Sequence, residues 1–513
     1  MRRTLDSLVR GTFDVLIVGG GITGAGVALD AALRGLRVAL IEKADFASGT
    51  SSASSKLVHG GLRYLEYGDF SLVYEALHER RLLLDNAPHL VQPLRFVIPF
   101  YCDSRVPGWQ WRLGLTIYDL LAGRGHIGRS RPMSAVELRR SFASLRAAGL
   151  RGAASYLDAQ MDDARVCLAV LRSAAQQGAC VANYVEAVAF VERAGRLVAA
   201  QAVDRLSGGK FVIHARQIVN AAGPWVDAVA RLAGLSGQAR LRPTKGVHLV
   251  APGRGLSAAL LLLHPHDGRV FFVIPWLGKT LIGTTDTLTE ESPDELTVTS
   301  ADVDYLLNGH NHYLHPPLSM REVLSTFVGL RPLRRAEGRQ PAAMSREFRL
   351  DESANGLLSA IGGKYTTYRR MAEVITDAIV RRLGVRRRCR THSHRLDGAP
   401  DEPWPEFECR AVRELCRDNR LSEATARHLL RRYGRHAARV VSYGAERPEW
   451  LQPIVSGEPD IRAELVYQRH EEMAIQPADF LLRRTRLGLF HPQLLESPPA
   501  ECSGAAASEG TGR

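Results

Sequence analysis

Residues 13 to 42 leave little choice of fold. An apolar run, Phe13-Asp14-Val15-Leu16-Ile17-Val18, enters Gly19-Gly20-Gly21-Ile22-Thr23-Gly24 and continues as an alanine-rich helical stretch to Arg34. A second apolar run, Leu36 to Ile41, ends on Glu42. Strand, glycine turn, helix, strand and acid, in that order, describe a βαβ unit that binds a dinucleotide, with the acid about 20 residues past the glycines to reach a ribose hydroxyl. Gly19 permits the tight turn, Gly21 admits backbone to the pyrophosphate, and Gly24 lets helix and strand pack closely. Unpaired N–H groups at the helix start, around Gly20, Ile22 and Thr23, face the phosphates. Glu42 repels a 2′-phosphate, which favours FAD or NAD over NADP.

The next stretch separates FAD from NAD. Thr50, Ser51, Ser52, Ser54 and Ser55 crowd hydroxyls together, and Lys56, Leu57, His59, Gly60, Gly61, Arg63 and Tyr64 follow. Loop backbone and hydroxyls bind phosphate and flavin polar atoms. Serine-rich loops are commonly linkers, but this one directly follows the ribose acid.

The run from Gly19 through Ser51-Ser52-Ala53-Ser54-Ser55-Lys56-Leu57-Val58-His59-Gly60-Gly61-Leu62-Arg63-Tyr64-Leu65-Glu66 closely resembles the FAD-dependent glycerol-3-phosphate dehydrogenases, respiratory enzymes of the D-amino-acid-oxidase superfamily. Asn220-Ala221-Ala222-Gly223-Pro224-Trp225, Gly283-Thr284-Thr285-Asp286, Gly329-Leu330-Arg331-Pro332-Leu333 and Gly362-Gly363-Lys364-Tyr365-Thr366-Thr367-Tyr368-Arg369 resemble that family's other signatures, in its order. The likeness spans residues 10 to 490. It implies FAD as cofactor, oxidation of glycerol 3-phosphate to dihydroxyacetone phosphate by hydride transfer from C2 to flavin N5, and electrons passed to a quinone. It also implies a homodimer in the cytoplasm, peripherally attached to the inner face of the plasma membrane. In the family the Gly362-Gly363 segment closes the FAD site, which adds Gly363, Lys364 and Thr366 to the cofactor contacts, while the small residues Ala222 and Gly223 let backbone approach the adenosine half.

Composition is compatible with that reading. A chain of 513 residues, 45% hydrophobic, can fill several cores, and its net charge of +13 favours anionic partners: a phosphorylated substrate, an anionic membrane surface or nucleic acid. Seven cysteines without CxxC spacing argue for a reducing compartment and no disulfide framework. Cys389-Arg390-Thr391-His392-Ser393-His394 lacks a second ligand pair, so no metal is expected. The N-terminal residues lack the apolar core of an export signal, and no stretch of about 18 uncharged apolar residues is present to cross a bilayer. Nucleic-acid binding ranks last, because no recognised module or aromatic-interleaved basic tract occurs.

The expected architecture is α/β: a Rossmann-like FAD domain from residues 1–90, 150–235 and 351–385, interleaved with an antiparallel-sheet substrate domain from 91–149 and 236–350. A C-terminal helical domain follows at 400–496, and a disordered tail at 497–513. The spacing predicts an amphipathic helix over 69–86 with Phe70, Val73, Leu77 and Leu84 on one side. Residues 109–121 are apolar nearly all round, which suits either a membrane interface or a buried core helix. Asp162-Asp163 reads as the cap of a helix from Ala164. The arginines of Asp479-Phe480-Leu481-Leu482-Arg483-Arg484-Thr485-Arg486 suit internal packing, a dimer contact or lipid phosphates.

Oxidising a secondary alcohol beside a phosphate needs an anion clamp, a base, a hydride acceptor and shielding from water. Guanidinium presents a fork that matches phosphate oxygens, which nominates Arg63, Arg331 and Arg346, with Tyr64 and Thr367 adding hydrogen bonds. His59 is the first candidate base, with Lys56 and Arg63 expected to favour its neutral form. Lys364 is the second, as base or as the cation facing flavin N1, and His248 the third. Val247, Ala222 and Tyr365 depart from the family's usual residues. They leave open a related polyol phosphate such as erythritol phosphate, and the same fingerprints suit an oxidase that uses oxygen.

Overall fold

The computed structural model describes residues 1–237, 239–334, 348–445 and 447–502. The first expectation holds at the level of hydrogen bonds. Strand Thr12–Val18 lies between Val38–Ile41 and Lys210–Asn220, parallel to both. Leu358–Ile361 extends this sheet beyond Lys210–Asn220, and Cys180–Ala182 extends it beyond Val38–Ile41, again in parallel. Val15, Leu16 and Ile17 are fully buried, each worth roughly 1.5–3 kcal/mol relative to exposure. Parallel strands need both faces covered. Helices Ile22–Leu33, Asp163–Gln176 and Tyr368–Leu383 share one apolar cluster with this sheet, which includes Val15, Ile17 and Leu40.

A second, mostly antiparallel sheet carries the inserted half. Strand Thr244–Pro252 pairs with Lys279–Gly283 on one side and Ser325–Arg331 on the other. Val270–Trp276 and Ala259–Leu263 continue the sheet to Val91–Tyr101. One expected boundary shifts here. Residues 150–161, expected in the cofactor domain, form strand Leu150–Met161, which pairs along its length with Val91–Tyr101 and also with Leu57–Val58. The chain therefore re-enters the first layer only at Asp162, where an aspartate cap starts helix Asp163–Gln176. The serine-rich loop, lying between Val38–Ile41 and Leu57–Val58, crosses from one sheet to the other.

The helix predicted over 69–86 forms as Phe70–Asn86, with Asp69 capping Leu72 N–H. Val73 and Leu77 are buried, whereas Phe70 is exposed. Residues 108–122 form a helix whose Trp111, Leu115 and Tyr118 are buried while Trp109, Leu113 and Leu120 face outward. The inner face is that of a core helix, and the outer face leaves apolar side chains exposed. Among the described residues, no helix is long and apolar enough to cross a membrane.

The C-terminal unit contains helices Trp404–Asn419, Glu423–Tyr433 and Arg462–Glu472 around a core of Phe407, Leu429, Leu430 and Tyr467. The tail expected from 497 is ordered at first, because Cys502 is buried and Glu501 accepts from Arg462 at 2.7 Å. Residues 503–513 lie outside the described residues.

Candidate active site

A cavity of about 460 Å³ opens where the parallel strands end, bounded by Val18, Gly19, Ile41, Glu42, Ala221, Ala222 and Ala360. Ligands of open α/β sheets bind at such carboxyl ends. Glu42 accepts the N–H of Gly20 at 2.7 Å and that of Ala44 at 3.0 Å. Burial raises its pKa, and those two backbone donors oppose the shift. The start of helix Ile22–Leu33 is drawn to the serine loop, since Ile22 N–H donates to Ser51 Oγ at 2.9 Å. Gly24 is required for close approach: a Cβ there would stand 2.0 Å from the Gly19 carbonyl oxygen.

Part of the second layer covers the cavity. Asp294 and Pro293 line it from the connection between strand Thr287–Leu288 and helix Ser300–Tyr313. Asp294 binds Lys43 at 2.7 Å and accepts from Trp225 Nε1 at 3.0 Å. The Lys43 ammonium lies 4.4 Å from the centre of a Trp225 ring. Trp225 stands in a segment that resembles a family signature, but Lys43 and Asp294 carried no signal in the sequence, because each looks like a surface residue until the two layers meet.

Gly19, Gly21, Ile22, Thr23, Glu42, Thr50, Ser51, Ala222, Gly223, Gly363 and Lys364 all line the cavity, with Gly20 bound to Glu42 beside it. Lys364 extends from there to Tyr64, with its Nζ 3.6 Å from the ring centre. Gly61, at φ 78°, makes this turn possible, since a Cβ there would meet the Tyr64 ring at 2.4 Å. His59 joins the same cluster through its N–H, which donates to Thr366 Oγ1 at 3.4 Å. Thr367 is buried behind it. Arg63 is half-buried, and its charge acts on Glu66, whose pKa is raised by burial and lowered by Arg63.

The second sheet meets the same loop from the other side. Thr50 Oγ1 donates to the Leu330 carbonyl at 2.6 Å, placing Arg331 next to the cavity wall at Pro332. Arg331 Nη2 donates to Thr284 Oγ1 at 2.9 Å, and Nη1 faces Asp286 at 3.3 Å. His248 is buried against Phe327, ring centres 4.8 Å apart, and its Nε2 lies 2.8 Å from Ser55 Oγ. Burial first, then the charges of Arg331 and Lys56, hold its pKa well below the ordinary histidine value, so the ring is neutral. Its Nδ1 has no hydrogen-bond partner among the described residues.

Two side chains expected at the cofactor turn away from the cavity. The Lys56 ammonium is fully buried and bound to Asp163 at 2.7 Å and to the Ser52 carbonyl, so its side chain serves the loop rather than the cavity. A buried ammonium requires such pairing. Ser54 behaves likewise, donating from N and Oγ to Asp163 at 3.1 and 2.7 Å. Ser52, Leu57 and Thr366 are not on the cavity wall, and Arg346 lies outside the described residues. Asp163 emerges as a hub that helix-cap reasoning missed. Among the described residues one group has metal-like spacing, His428, Asp460 and Glu464, yet Arg432 Nη1 already pairs with Asp460 and, at 2.7 Å, with Glu464.

Residues 14–369 match the family described as FAD dependent oxidoreductase, and 389–502 that described as the C-terminal domain of alpha-glycerophosphate oxidase. The chain is 37% identical over 508 residues to a glycerol-3-phosphate dehydrogenase of Synechocystis sp., covering 95% of this chain and 91% of that one. It is 37% identical over 498 residues to the aerobic glycerol-3-phosphate dehydrogenase of Bacillus subtilis, covering 94% and 88%. The fold matches the glycerol-3-phosphate dehydrogenase of Bacillus halodurans complexed with FAD, with a TM-score of 0.79 and 32% identity over 96% of this chain and 89% of that one. The glycine turn, the Glu42 acceptor and the hydroxyl-lined loop fit FAD, which is the cofactor. The chain belongs to the FAD-dependent glycerol-3-phosphate dehydrogenases of the D-amino-acid-oxidase superfamily.

Proposed function

We propose that this enzyme oxidises sn-glycerol 3-phosphate to dihydroxyacetone phosphate and passes the electrons to a membrane quinone. One observation supports the reading: Lys364 lines the cofactor cavity and its ammonium covers the ring of Tyr64, the residue after Arg63 in the chain, which brings the returning segment and the His59–Tyr64 loop together at one end of that cavity. FAD, when bound, supplies the hydride acceptor and can release its electrons singly or in pairs to a quinone.

The remaining work falls to the chain. Arg331 and Arg63 hold the phosphate; Arg331 keeps its guanidinium aimed by bonds to Thr284 and Asp286. His59 takes the proton of the C2 hydroxyl, and Lys364 opposes negative charge that develops nearby. His248, neutral and stacked on Phe327, anchors Ser55 and so the loop that carries His59. The outward apolar face of helix Gly108–Ala122 supports a membrane site for quinone exchange.

Anaerobic flavin reduction by a panel of polyol phosphates tests the substrate. Bleaching by glycerol 3-phosphate at the lowest concentration is expected, and preferential bleaching by erythritol phosphate overturns the assignment. Rapid oxygen uptake without added quinone would identify an oxidase instead.

A further inference from the structure

Of three arginines near the C-terminus, Arg484 and Arg486 are buried inside the protein and Arg483 is nearly so. Arg483 and Arg484 bind Asp45, and Arg486 binds Asp162 at 2.6 Å and Asp163 at 2.5 Å. All four pairs tie the C-terminal unit to the first layer. Arg486 differs in what lies beyond its partner. Asp163 also holds Lys56 and both the N–H and hydroxyl of Ser54, and its main-chain carbonyl accepts from the hydroxyl of Tyr365, a cavity-wall residue. Lys56 in turn donates to the Ser52 carbonyl, one residue past Ser51 on the cavity wall.

Backbone strain marks both ends of this connection. Arg486 has φ 73° and Lys56 φ 61°, the left-handed region that side chains rarely occupy and that persists only where the surroundings enforce it. Arg486 follows a π-helical turn, Asp479–Arg484, of the kind that concentrates at functional positions. Two strained cations therefore converge on one fully buried carboxylate. Either cation alone would neutralise Asp163. The second supplies position, since Asp163 is thereby held between the C-terminal unit and the loop.

We infer that Arg486 is a positioning residue for the cofactor: from the C-terminal unit, through Asp163, it fixes the Ser52–Lys56 loop and Tyr365, and so sets the shape of the flavin's seat. The inference depends on FAD as cofactor and is independent of the substrate.

The test uses full-length holoenzyme carrying Arg486→Met or Arg486→Lys, with Arg165→Met as control. Arg165 makes an equally buried ion pair with Glu472 of the C-terminal unit, at 2.6 Å, and its remaining side-chain bond goes to the Arg432 carbonyl of that same unit. Arg486→Met is expected to raise the FAD dissociation constant about tenfold, in line with a lost charged hydrogen bond, and to alter the visible circular dichroism of the bound flavin. Arg486→Lys should recover most of both. Arg165→Met should lower the melting temperature while leaving both flavin readouts at wild-type values. The inference is overturned if Arg486→Met binds FAD with wild-type affinity and dichroism, or if Arg165→Met loosens FAD equally. Should Arg486→Met not fold, Lys56→Met breaks the connection from the loop side and is held to the same two outcomes.

Discussion

The Lys364 ammonium lies 3.6 Å from the centre of the Tyr64 ring, uniting a residue of the returning cofactor segment with one from the loop that leaves it. A cation over an aromatic face gains about 0.5–2 kcal/mol, enough to fix the ammonium's direction without consuming its hydrogen-bond donors. A lysine so held is suited to facing a flavin or substrate oxygen. Lys364→Met should lower kcat about 100-fold while FAD remains bound, a loss typical of a charged or proton-transferring participant. Tyr64→Phe keeps the ring and should cost much less. Stopped-flow flavin reduction separates the two, and a Lys364→Met enzyme that reduces its flavin at the wild-type rate would remove this residue from the chemistry.

Arg331 is expected to act on binding rather than on turnover. Its fork is already oriented by Thr284 at 2.9 Å and Asp286 at 3.3 Å, so a phosphate bound there would meet a preformed donor. Arg331→Ala should raise KM about 10- to 100-fold, the range for losing a charge-assisted pair. Arg331→Lys, which retains charge but not the fork, should fall between. Steady-state kinetics with an artificial acceptor decides this, and an unchanged KM in Arg331→Ala places the phosphate elsewhere.

The cofactor half was legible because its chemistry is local. Gly19, Gly21, Gly24 and Glu42 act within one βαβ unit, and each stands where the spacing puts it. The substrate half was legible only as residue types, since Arg331 and His248 reach the loop through pairings between distant strands. The direction of the Lys56 side chain was not legible for a related reason. A lysine in a hydroxyl-rich loop looks like a phosphate ligand until Asp163 arrives from the far end of the inserted strand. Asp163 itself was hidden by a true but incomplete explanation: Asp162-Asp163 does start a helix, and a cap signal does not announce that the second carboxylate faces inward. Arg486 was legible only as one of several arginines suited to internal packing, a dimer contact or lipid phosphates, and its ion pairs with Asp162 and Asp163 place it in the first of these.

The same cluster makes an acid-range prediction. Burial alone would raise the Asp162 carboxyl, but the charge and hydrogen bond of Arg486 outweigh it and bring the pKa down to about 2. A carboxylate depressed in the folded state contributes stability above its unfolded pKa near 3.8 and loses it as pH falls through about 2. The contribution is about 2 kcal/mol at neutral pH. Asp162→Asn keeps the helix cap and removes the charge. Its denaturation midpoint should be lower at pH 7, with a shallower decline between pH 4 and 2 than wild type. Parallel wild-type and variant curves through that window would refute the linkage.

Helix Gly108–Ala122 poses the last question, because it is apolar on two opposite sides. Trp111, Leu115 and Tyr118 fill the interior, where the Tyr118 hydroxyl binds Asp158 and accepts the Gly60 N–H. Trp109, Leu113 and Leu120 stand 63%, 55% and 74% exposed on the outside, with Phe70 and Tyr74 also exposed on the neighbouring helix Phe70–Asn86. Between residues 104 and 131 the chain carries five arginines and one aspartate. An apolar stripe flanked by cations suits an anionic bilayer interface. Because the inner face contacts the Gly60 turn, a membrane seated on the outer face would lie close to the loop bearing His59 and Arg63. The variant Trp109→Ser, Leu113→Ser, Leu120→Ser should lose on the order of 100-fold in partitioning to anionic vesicles, from removal of apolar area worth on the order of 3 kcal/mol. Wild-type partitioning should also weaken with salt, because part of the attraction is screened. Turnover with a water-soluble acceptor should stay unchanged, whereas turnover with vesicle-embedded quinone falls. Full retention of vesicle binding by the triple variant would assign the membrane-facing surface to another part of the molecule.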